Sequence, residues 1–361
     1  MKRRDLLKNA GGIGLGAMAG ALGSASAADL PTIRWRLTSS FPKNLDLLFG
    51  AAELLADRVS RITEGKFQIR LFAAGEIVPP LKVLDAVQDG TVECGHTASY
   101  YYVGKNLAFG FDTALPFGLT ARQQNAWMYA GGGLQLLREL FQDYNIINFP
   151  GGNTGTQMGG WFRNPIKSVA DLKGMKMRIP GPGGQIMARL GVVPQALSAA
   201  DIYPALERGV IDATEFVGPY DDEKLGLHKV AKHYYYPGWW EGSALLSFYV
   251  NRKQWQELPE PYKVAFATAA AEANVTMLAE YDTRNPAALA RLLAQGVKLR
   301  PFPQDIMTAA RKIAFEMYQQ EAEKNPAFKK IYTEWKKFGA TSNQWFRLAE
   351  ASYANFIYSA K

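Results

Sequence analysis

The architecture of this chain is indicated most clearly by residues 32–72, TIRWRLTSSFPKNLDLLFGAAELLADRVSRITEGKFQIRLF. Polar and apolar residues alternate over 32–39, which predicts a strand, and residues 66–72 predict a second strand. Between them, residues 45–62 have the apolar spacing of an amphipathic helix. A strand, a helix and a second strand in this order imply a parallel sheet with helices on its faces, so the sequence predicts an α/β fold.

The rest of the chain alternates between short strand-like segments and longer helical ones. Strand patterns recur at 91–96, 145–149, 156–162, 175–179, 211–216 and 244–251. Helical spacing is found at 81–87, 120–141, 184–190 and 202–207. Beyond Pro259 almost every segment is helical, with helices expected at 259–281, 287–293, 303–323, 327–337 and 344–358.

The middle of the chain carries a glycine-rich segment, Gly151–Gly155. It lacks the ending of a P-loop and the spacing of a dinucleotide fingerprint, which favours a crossover between two lobes. No repeat or low-complexity linker interrupts the sequence, so we expect the lobes to be intimately joined. The expected bounds are 28–152 plus about 243–282 for the first lobe, 153–242 plus about 283–343 for the second, and 344–361 for a C-terminal helix. The strand at 244–251 is expected to return to the first lobe.

The first residues have the layout of a secretory signal peptide. A basic head with Arg3 and Arg4 precedes an apolar stretch at 10–22 and the small residues Ala25-Ser26-Ala27. We therefore predict cleavage after residue 27 and export to the periplasm. The paired arginines are compatible with twin-arginine export, although Sec signals also begin with basic residues. A retained membrane anchor fits the short length and the glycine content badly.

Composition and charge exclude several classes of function. Cleavage of the signal peptide would remove four basic residues and one acidic residue, which lowers the formal charge from +8 to about +5. The remaining charges are scattered without a basic stripe, so no nucleic-acid partner is expected, although a positive surface favours anionic solutes. No later segment has eighteen consecutive uncharged apolar residues, so we expect a soluble mature chain. The single cysteine, Cys94, cannot form an intramolecular disulfide and is expected to be buried.

Arg178 is the first candidate for a ligand-binding residue. It lies in GMKMRIPG, where alternation places it opposite Met177 and just before the Pro180-Gly181 turn. An arginine at the end of a strand, aimed at a cleft, can hold a carboxylate through two parallel hydrogen bonds. The alternative is an arginine on the solvated face of the strand.

Gln157, Glu215 and Glu241 are further candidates because of their neighbours. Both glutamates are flanked by aromatic residues and glycines, which indicates partial burial, and an unpaired buried charge is expensive. They therefore need a cation. One candidate is a neighbouring basic side chain, which would give a structural ion pair. The other is a metal ion, which two carboxylates and the Gln157 amide oxygen would suit.

Tyrosines cluster at 100–102 and 234–236. A tyrosine offers an apolar wall and a hydroxyl that can hydrogen-bond a ligand oxygen. Most of these side chains are expected to pack in the core or at a hinge, and we assign Tyr101 to the substrate pocket.

An enzyme is a weaker hypothesis. The three histidines lie far apart in sequence and outside any zinc motif, and no G-x-S-x-G nucleophile elbow occurs. The segment Cys94-Gly95-His96 matches no nucleophile signature. Glu215 and Glu241 suit an acid and base pair for glycoside hydrolysis, yet nothing beyond the presence of two carboxylates favours that role. We therefore expect a binding protein rather than an enzyme.

Several motifs together resemble the solute-binding proteins of tripartite ATP-independent periplasmic (TRAP) transporters, across the whole mature chain. They are WRLTSSFP (35–42), FAAGEIVPPLKVLDAVQDGTVE (72–93), DLKGMKMRIPG (171–181) and DIYPALERGVIDATE (201–215). Three more resemble the subgroup that binds 2-oxoacids such as pyruvate: GGNTGTQMGGWF (151–162), VGPYDDEKLGLHKVA (217–231) and YYYPGWWEG (234–242).

The resemblance implies a substrate carboxylate bound together with a cation, with sodium as the first choice and calcium as the alternative. Arg178 would clamp the carboxylate, and Gln157 would touch both substrate and ion. Glu215 and Glu241 would ligate the metal, and residue 216 would supply a backbone oxygen and a pocket wall. Phe216 stands where the subgroup is expected to carry tryptophan, which removes an indole donor and enlarges the pocket.

The resemblance also implies a two-lobed α/β periplasmic-binding-protein (Venus flytrap) fold with a hinge and long C-terminal helices. The lobes would close around the ligand, and the membrane permease subunits would recognise the closed form. An ion gradient would drive transport, so no ATP site is expected. The alternatives are another organic acid, such as lactate or a dicarboxylate, and a binding protein that feeds a sensor kinase. The amphipathic C-terminal helices further suggest a homodimer.

Overall fold

The computed structural model describes residues 30–359, and within them the strands fall into two sheets. The predicted signal peptide at 1–27 lies outside the described residues. The strands are β1 (Ile33–Ser39), β2 (Phe67–Phe72), β3 (Cys94–Thr97), β4 (Ile146–Asn153), β5 (Trp161–Phe162), β6 (Lys176–Arg178), β7 (Val193–Gln195), β8 (Ala213–Thr214), β9 (His233–Tyr236), β10 (Leu245–Asn251) and β11 (Lys298–Pro301).

Helices cover the sheets and make up most of the C-terminal third of the chain. They are α1 (Asp46–Ile62), α2 (Val83–Gln88), α3 (Gly110–Thr113), α4 (Ala121–Tyr129), α5 (Gly133–Gln142), α6 (Gly181–Arg189), α7 (Ala199–Glu207), α8 (Pro219–Lys224), α9 (Leu227–Val230), α10 (Arg252–Glu257), α11 (Glu260–Ala294), α12 (Gln304–Lys324), α13 (Pro326–Phe346) and α14 (Ser352–Ser359). Short 3₁₀ turns lie at Pro80–Lys82, Ser99–Tyr102, Leu107–Phe109 and Val169–Leu172, and a π-helical turn lies at Arg347–Ala351. No helix in this part of the chain is long and apolar enough to cross a membrane.

The first sheet has the strand order β2-β1-β3-β10-β4. Strand β1 pairs in parallel with both β2 and β3, which confirms the predicted strand, helix, strand unit. Strand β10 runs antiparallel between β3 and β4, so the strand predicted at 244–251 does return to this sheet. The sheet is therefore mixed rather than purely parallel.

The second sheet has the order β11-β9-β5-β8-β6-β7. Strand β6 pairs in parallel with β7 and β8, whereas β5 pairs antiparallel with β8 and β9. Because β6 and β8 run in the same direction, the residues at their carboxyl ends emerge at one edge of the sheet. That edge carries the candidate site.

The glycine-rich segment Gly151–Gly155 begins inside β4, which continues through Asn153, and the predicted crossover between lobes stays a prediction. Gly152 and Asn153 pair with Leu246 and Leu245 of β10. A side chain at Gly151 would lie 2.3 Å from the ring of Phe248. The glycine therefore allows close packing inside the sheet rather than a turn at this position.

Three helix boundaries also differ from the prediction. The predicted helix at 120–141 is interrupted at Gly132, whose positive φ of 84° starts α5 afresh. Conversely, α11 runs unbroken through Pro286 because buried residues on both sides of the proline, Tyr281 and Ala288 among them, hold one helical face against the protein. Helix α13 extends to Phe346 without the predicted gap at 338–343.

Helix α11 contacts elements next to both sheets. It packs against α1 and β4 and also against α8. The predicted lobe boundary near residue 282 falls inside this continuous helix. Residues from Thr32 onward form one compact unit, and the division into lobes stays a prediction.

Candidate ligand-binding site

The site is built around a buried ion pair at the carboxyl ends of β6 and β8. Arg178 is the last residue of β6, and Glu215 directly follows β8. The Arg178 guanidinium donates to the Glu215 carboxylate through Nη1, and each side chain is 1% exposed. Nη1 also donates to the Glu215 carbonyl at 3.0 Å, and Nε donates to the Leu197 carbonyl at 3.1 Å. The alternative of a solvated surface arginine is therefore wrong.

A small cavity lies against this guanidinium. It contains about 280 Å³ of empty space, including the part open to solvent. Its polar lining is Arg178, Gln157, Thr154, Tyr100 and Tyr101, and its apolar lining includes Phe41, Leu48, Phe216 and Leu246. Such a cavity suits a small anionic ligand, because one cationic group faces a mostly apolar and aromatic wall.

Gln157 is held in a single orientation by its neighbours. Its Nε2 donates to Thr154 Oγ1 at 3.1 Å, and that hydroxyl donates to the Gly155 carbonyl at 3.1 Å. The Gln157 backbone is fixed as well, because its N–H donates to the Glu241 carbonyl at 3.2 Å and its carbonyl accepts from Gly238 N–H at 3.0 Å. The amide oxygen of Gln157 is thereby left buried without a partner.

Three buried oxygen atoms in this region lack hydrogen-bond partners. They are Gln157 Oε1, Glu215 Oε2 and Glu241 Oε2. Leaving such groups unsatisfied costs free energy, so their presence together indicates a missing positive partner. Within residues 30–359, no three His, Cys, Asp or Glu side chains converge as a metal-binding group. A cation here would therefore rest on two carboxylates and on neutral oxygens, which sodium and calcium accept.

The electrostatics of the two glutamates support this interpretation. Burial raises the pKa of Glu241 well above its ordinary value, and the nearby Glu215 raises it further. Burial also raises the pKa of Glu215, while the Arg178 guanidinium opposes that rise. The alternatives of a structural ion pair and a metal site are not exclusive, since Glu215 pairs with Arg178 through one oxygen and leaves the other free.

The aromatic residues complete the wall of the cavity. The Arg178 guanidinium lies 5.5 Å from the ring centre of the buried Phe216. Tyr101 is half-buried at the same cavity, and burial raises its pKa to about 12 although the nearby guanidinium lowers it. Its hydroxyl is therefore protonated at neutral pH and able to donate a hydrogen bond.

Sequence reasoning missed two groups near the site. In the sequence, only its position in a glycine-rich segment distinguishes Thr154, and this does not predict a functional role. The adjacent acids Asp221 and Asp222 are buried, where Asp222 accepts from Trp161 Nε1 at 2.9 Å and from the Tyr234 hydroxyl at 2.7 Å. Those donors come from another part of the second sheet, so no local pattern around Asp222 predicts them.

The three histidines lie in different elements of the described chain. His96 lies in β3, and its ring stacks on Phe248 with centroids 4.5 Å apart. His228 lies in α9 and His233 in β9. Cys94 is buried as predicted, and burial raises its pKa well above the ordinary value, which leaves the thiol unreactive.

A mixed α/β scaffold with a buried guanidinium and unpaired oxygens at a small cavity defines a protein that binds a small charged solute. The chain belongs to bacterial extracellular solute-binding protein family 7, whose model matches residues 38–325. This family is a substrate-binding component of transport, found outside the cytoplasm.

Individual relatives agree with this assignment. The chain is 56% identical over 338 residues to the monocarboxylate 2-oxoacid-binding periplasmic protein of Nostoc sp., covering 94% of this chain and 93% of that protein. A TRAP transporter solute-binding protein from Bordetella bronchiseptica is 54% identical with a TM-score of 0.90, covering 91% of this chain and 98% of that one. It is described as a mixed-occupancy dimer, with copurified calcium and picolinate in the bound active site and an apo site.

A TRAP periplasmic solute-binding protein from Pseudoalteromonas atlantica contains sodium and pyruvate. It is 39% identical to this chain with a TM-score of 0.87, covering 90% of this chain and 99% of its own. The predicted TRAP resemblance and the two-sheet α/β fold with long C-terminal helices are thereby confirmed.

Proposed function

We propose that this protein captures a small 2-oxoacid such as pyruvate together with a metal cation and delivers it to the membrane subunits of a TRAP transporter. The observation that carries the proposal is the buried Arg178 at a small cavity, beside three buried oxygen atoms without partners. The relatives that bind pyruvate or picolinate with sodium or calcium support it.

Each candidate residue has a distinct role in this proposal. Arg178 clamps the carboxylate, and the Gln157 amide oxygen touches both substrate and cation. Glu215 and Glu241 ligate the cation through their unpaired oxygens, and Phe216 contributes its backbone oxygen. The carboxylate and keto oxygens of the substrate complete the ligand set, so substrate and cation bind together. Sodium is the first choice and calcium the second. Both ions accept carboxylate and carbonyl oxygens as ligands.

A bound cation also explains how an anionic substrate can sit beside two glutamates. Without a cation, the substrate carboxylate and the Glu215 and Glu241 carboxylates would repel one another in a buried site. The proposed role is therefore binding and release, without chemical change of the substrate. Closure of two lobes around the ligand would produce the form that the permease recognises.

The cellular site of action follows from the family and from the N-terminal sequence. We infer that residues 1–27 direct export and are then removed, so that the mature protein begins near Ala28. Mass spectrometry of the protein purified from the periplasm tests this inference, and an intact N-terminus would contradict it.

The proposed function is tested by thermal shift and calorimetry on metal-stripped protein. Pyruvate should raise the melting temperature strongly when sodium or calcium is present and little in their absence, because ligand and cation share the site. Lactate, dicarboxylates, sugars and amino acids are tested in parallel. A shift only with lactate or a dicarboxylate would keep the transport role and replace the substrate, and consumption of the ligand on long incubation would indicate an enzyme.

We further propose that the protein is a homodimer. The C-terminal segment exposes several large apolar side chains, namely Trp345, Leu348, Tyr353, Phe356 and Tyr358. Apolar side chains clustered on one exposed segment are typical of an association surface. The dimer of the Bordetella bronchiseptica relative supports a second copy of this chain as the occupant.

A further inference from the structure

A buried carboxylate outside the proposed ligand set reaches the loop that follows β8. Asp222 lies in α8 and is 1% exposed. Its Oδ1 accepts from the Val217 N–H at 3.3 Å, and its Oδ2 accepts from Trp161 Nε1 at 2.9 Å and from the Tyr234 hydroxyl at 2.7 Å. This carboxylate therefore joins the loop after β8 to strands β5 and β9.

The loop after β8 supplies part of the proposed cation site. It contains Glu215, whose Oε2 is buried without a partner, and Phe216, whose carbonyl is the proposed backbone ligand. Val217 comes next in the chain and lines the ligand cavity. Metal ions need their ligands at distances that vary by no more than about 0.2 Å. A shift of Val217 would therefore change the ligand set, because the peptide bonds pass it on to the two preceding residues.

Different groups hold the two ends of this loop. At the first end, the Glu215 N–H donates to the Arg178 carbonyl at 3.2 Å, and the Glu215 carbonyl accepts from Arg178 Nη1 at 3.0 Å. At the other end, the Val217 carbonyl accepts from the Met158 N–H at 3.1 Å, and the Val217 N–H donates to Asp222. The side chain of the proposed substrate clamp thus holds the first end, and the side chain of Asp222 holds the last.

A carboxylate at position 222 serves three donors, which an amide cannot do. Both carboxylate oxygens accept hydrogen bonds, whereas an amide has one accepting oxygen and one donating nitrogen. Asp222→Asn would therefore set an N–H group either against Trp161 Nε1, which only donates, or against the Val217 N–H. We expect the second arrangement, because the contact with Val217 is longer than those with Trp161 and Tyr234.

The neighbouring acid has different contacts. Asp221 is also buried in α8, and its Oδ2 accepts from the Tyr281 hydroxyl at 2.5 Å. Its Oδ1 has no hydrogen-bond partner in the described part of the chain. The amide in Asp221→Asn can keep its oxygen on Tyr281, so this substitution preserves the hydrogen bond. The two adjacent acids therefore allow the same substitution with and without release of Val217.

We propose that Asp222 is a positioning residue for the cation, because it holds the loop 215–217 so that the Glu215 carboxylate and the Phe216 carbonyl keep the arrangement that the cation needs. This proposal rests on the proposed function, since it requires a cation in the ligand site. It connects Asp222 to cation affinity rather than to the grip on the substrate carboxylate, because other contacts hold the guanidinium of Arg178.

The test compares Asp222→Asn with Asp221→Asn by calorimetry on the metal-stripped protein. In Asp222→Asn, the calcium concentration for half-saturation in excess pyruvate should rise roughly ten-fold or more, which corresponds to one hydrogen bond to a charged acceptor. The dissociation constant of pyruvate at saturating calcium should stay within about two-fold of the wild type. Asp221→Asn should leave both quantities within about two-fold of the wild type.

Three results of this comparison would overturn the proposal. They are an unchanged calcium requirement in Asp222→Asn, an equal rise in Asp221→Asn, and a rise of the calcium and pyruvate constants by the same factor. The last result would indicate a general disturbance of the fold. A wild-type protein that binds no 2-oxoacid with any cation would instead overturn the proposed function, and the role of Asp222 with it.

Residue-resolved hydrogen exchange without metal tests the contact itself. The Val217 amide should exchange slowly in the wild type and in Asp221→Asn, and faster in Asp222→Asn, because only the last variant releases it. If Asp222→Asn does not fold, the wild-type protein alone still decides. Exchange of its Val217 amide at the rate of an unfolded chain would overturn the proposal.

Discussion

At Arg178, one side chain serves both the fold and the proposed ligand. Its guanidinium holds the Glu215 carboxylate and the carbonyls of Glu215 and Leu197, and it also lines the ligand cavity. The structural contacts fix the guanidinium before a ligand arrives. A preorganised clamp of this kind loses little conformational entropy on binding.

Replacing Arg178 separates these two roles. Arg178→Ala should abolish binding of 2-oxoacids and destabilise the protein by about 3–5 kcal/mol, because it leaves a buried carboxylate unpaired. The double variant Arg178→Ala/Glu215→Gln removes that charge and should recover part of the stability without recovering binding. Urea unfolding and calorimetry measure the two effects, and retained affinity in Arg178→Ala would show that the site is misplaced.

Thr154 acts on the ligand through another residue. Because its hydroxyl accepts from Gln157 Nε2 and donates to the Gly155 carbonyl, it fixes the Gln157 amide group and leaves the amide oxygen buried without a partner. Thr154→Val should lose one hydrogen bond worth about 0.5–1.5 kcal/mol, a two- to twelve-fold weaker binding of pyruvate and cation. Thr154→Ser keeps the hydroxyl and should bind like the wild type, and equal losses in both variants would point to packing instead.

At the scale of the element, regular segments were predictable and tertiary pairings were not. The pattern of 32–72 predicted β1, α1 and β2 because one face of each element is buried. Strands β7, β9 and β11 were not predicted. Strands β7 and β11 are short, contain a proline and have no buried residue, so they lack a strand pattern. Strand β9 lies in the tyrosine cluster at 234–236, where consecutive aromatic residues hide the alternation of a strand. Arg178 and Glu215 stood out because both end strand-like segments, whereas the link between Thr154 and Gln157 depends on how an irregular loop folds.

The C-terminal segment exposes apolar side chains that contacts within a single chain do not explain. Leu348 is 73% exposed and Phe356 is 77% exposed, beyond the end of α13. If a second copy covers these side chains, Leu348→Glu/Phe356→Glu should convert the dimer to a monomer in light scattering, because charges in a buried apolar interface are costly. Val264→Glu/Val275→Glu changes exposed valines on α11 and should remain dimeric. A monomeric wild-type protein would contradict the proposal.

For the whole molecule, the balance of buried charge favours a cation. Three buried carboxyl groups, Glu215, Asp222 and Glu241, interact electrostatically with the buried guanidinium of Arg178, and the buried Asp221 interacts with Asp222. Burial raises the pKa of all four. Such groups take up protons when the cation is absent, so cation binding should weaken as the pH falls.

The same pKa shifts predict how the free energy of unfolding of the ligand-free protein depends on pH. Burial raises the pKa of Asp222 to about 6 and of Asp221 to about 7, and it raises the pKa of Glu241 well above its ordinary value. In the unfolded chain these carboxyls ionise near pH 4. The folded state therefore binds more protons, and the free energy of unfolding should fall as the pH rises from 6.5 to 8.5.

His96 determines the lower end of the pH range in which stability falls as the pH rises. Burial lowers its pKa to about 3, so the unfolded chain takes up an extra proton below about pH 6.5 and stability falls again on the acidic side.

Melting temperatures between pH 6.5 and 8.5 should therefore decline in metal-free protein. They should decline less with calcium and pyruvate, because the cation keeps Glu215 and Glu241 ionised in the folded state. Asp221→Asn should flatten part of the metal-free decline, because the folded pKa of Asp221, about 7, lies inside this range. A melting temperature that does not decline over this range would show that these carboxyls are already ionised in the fold.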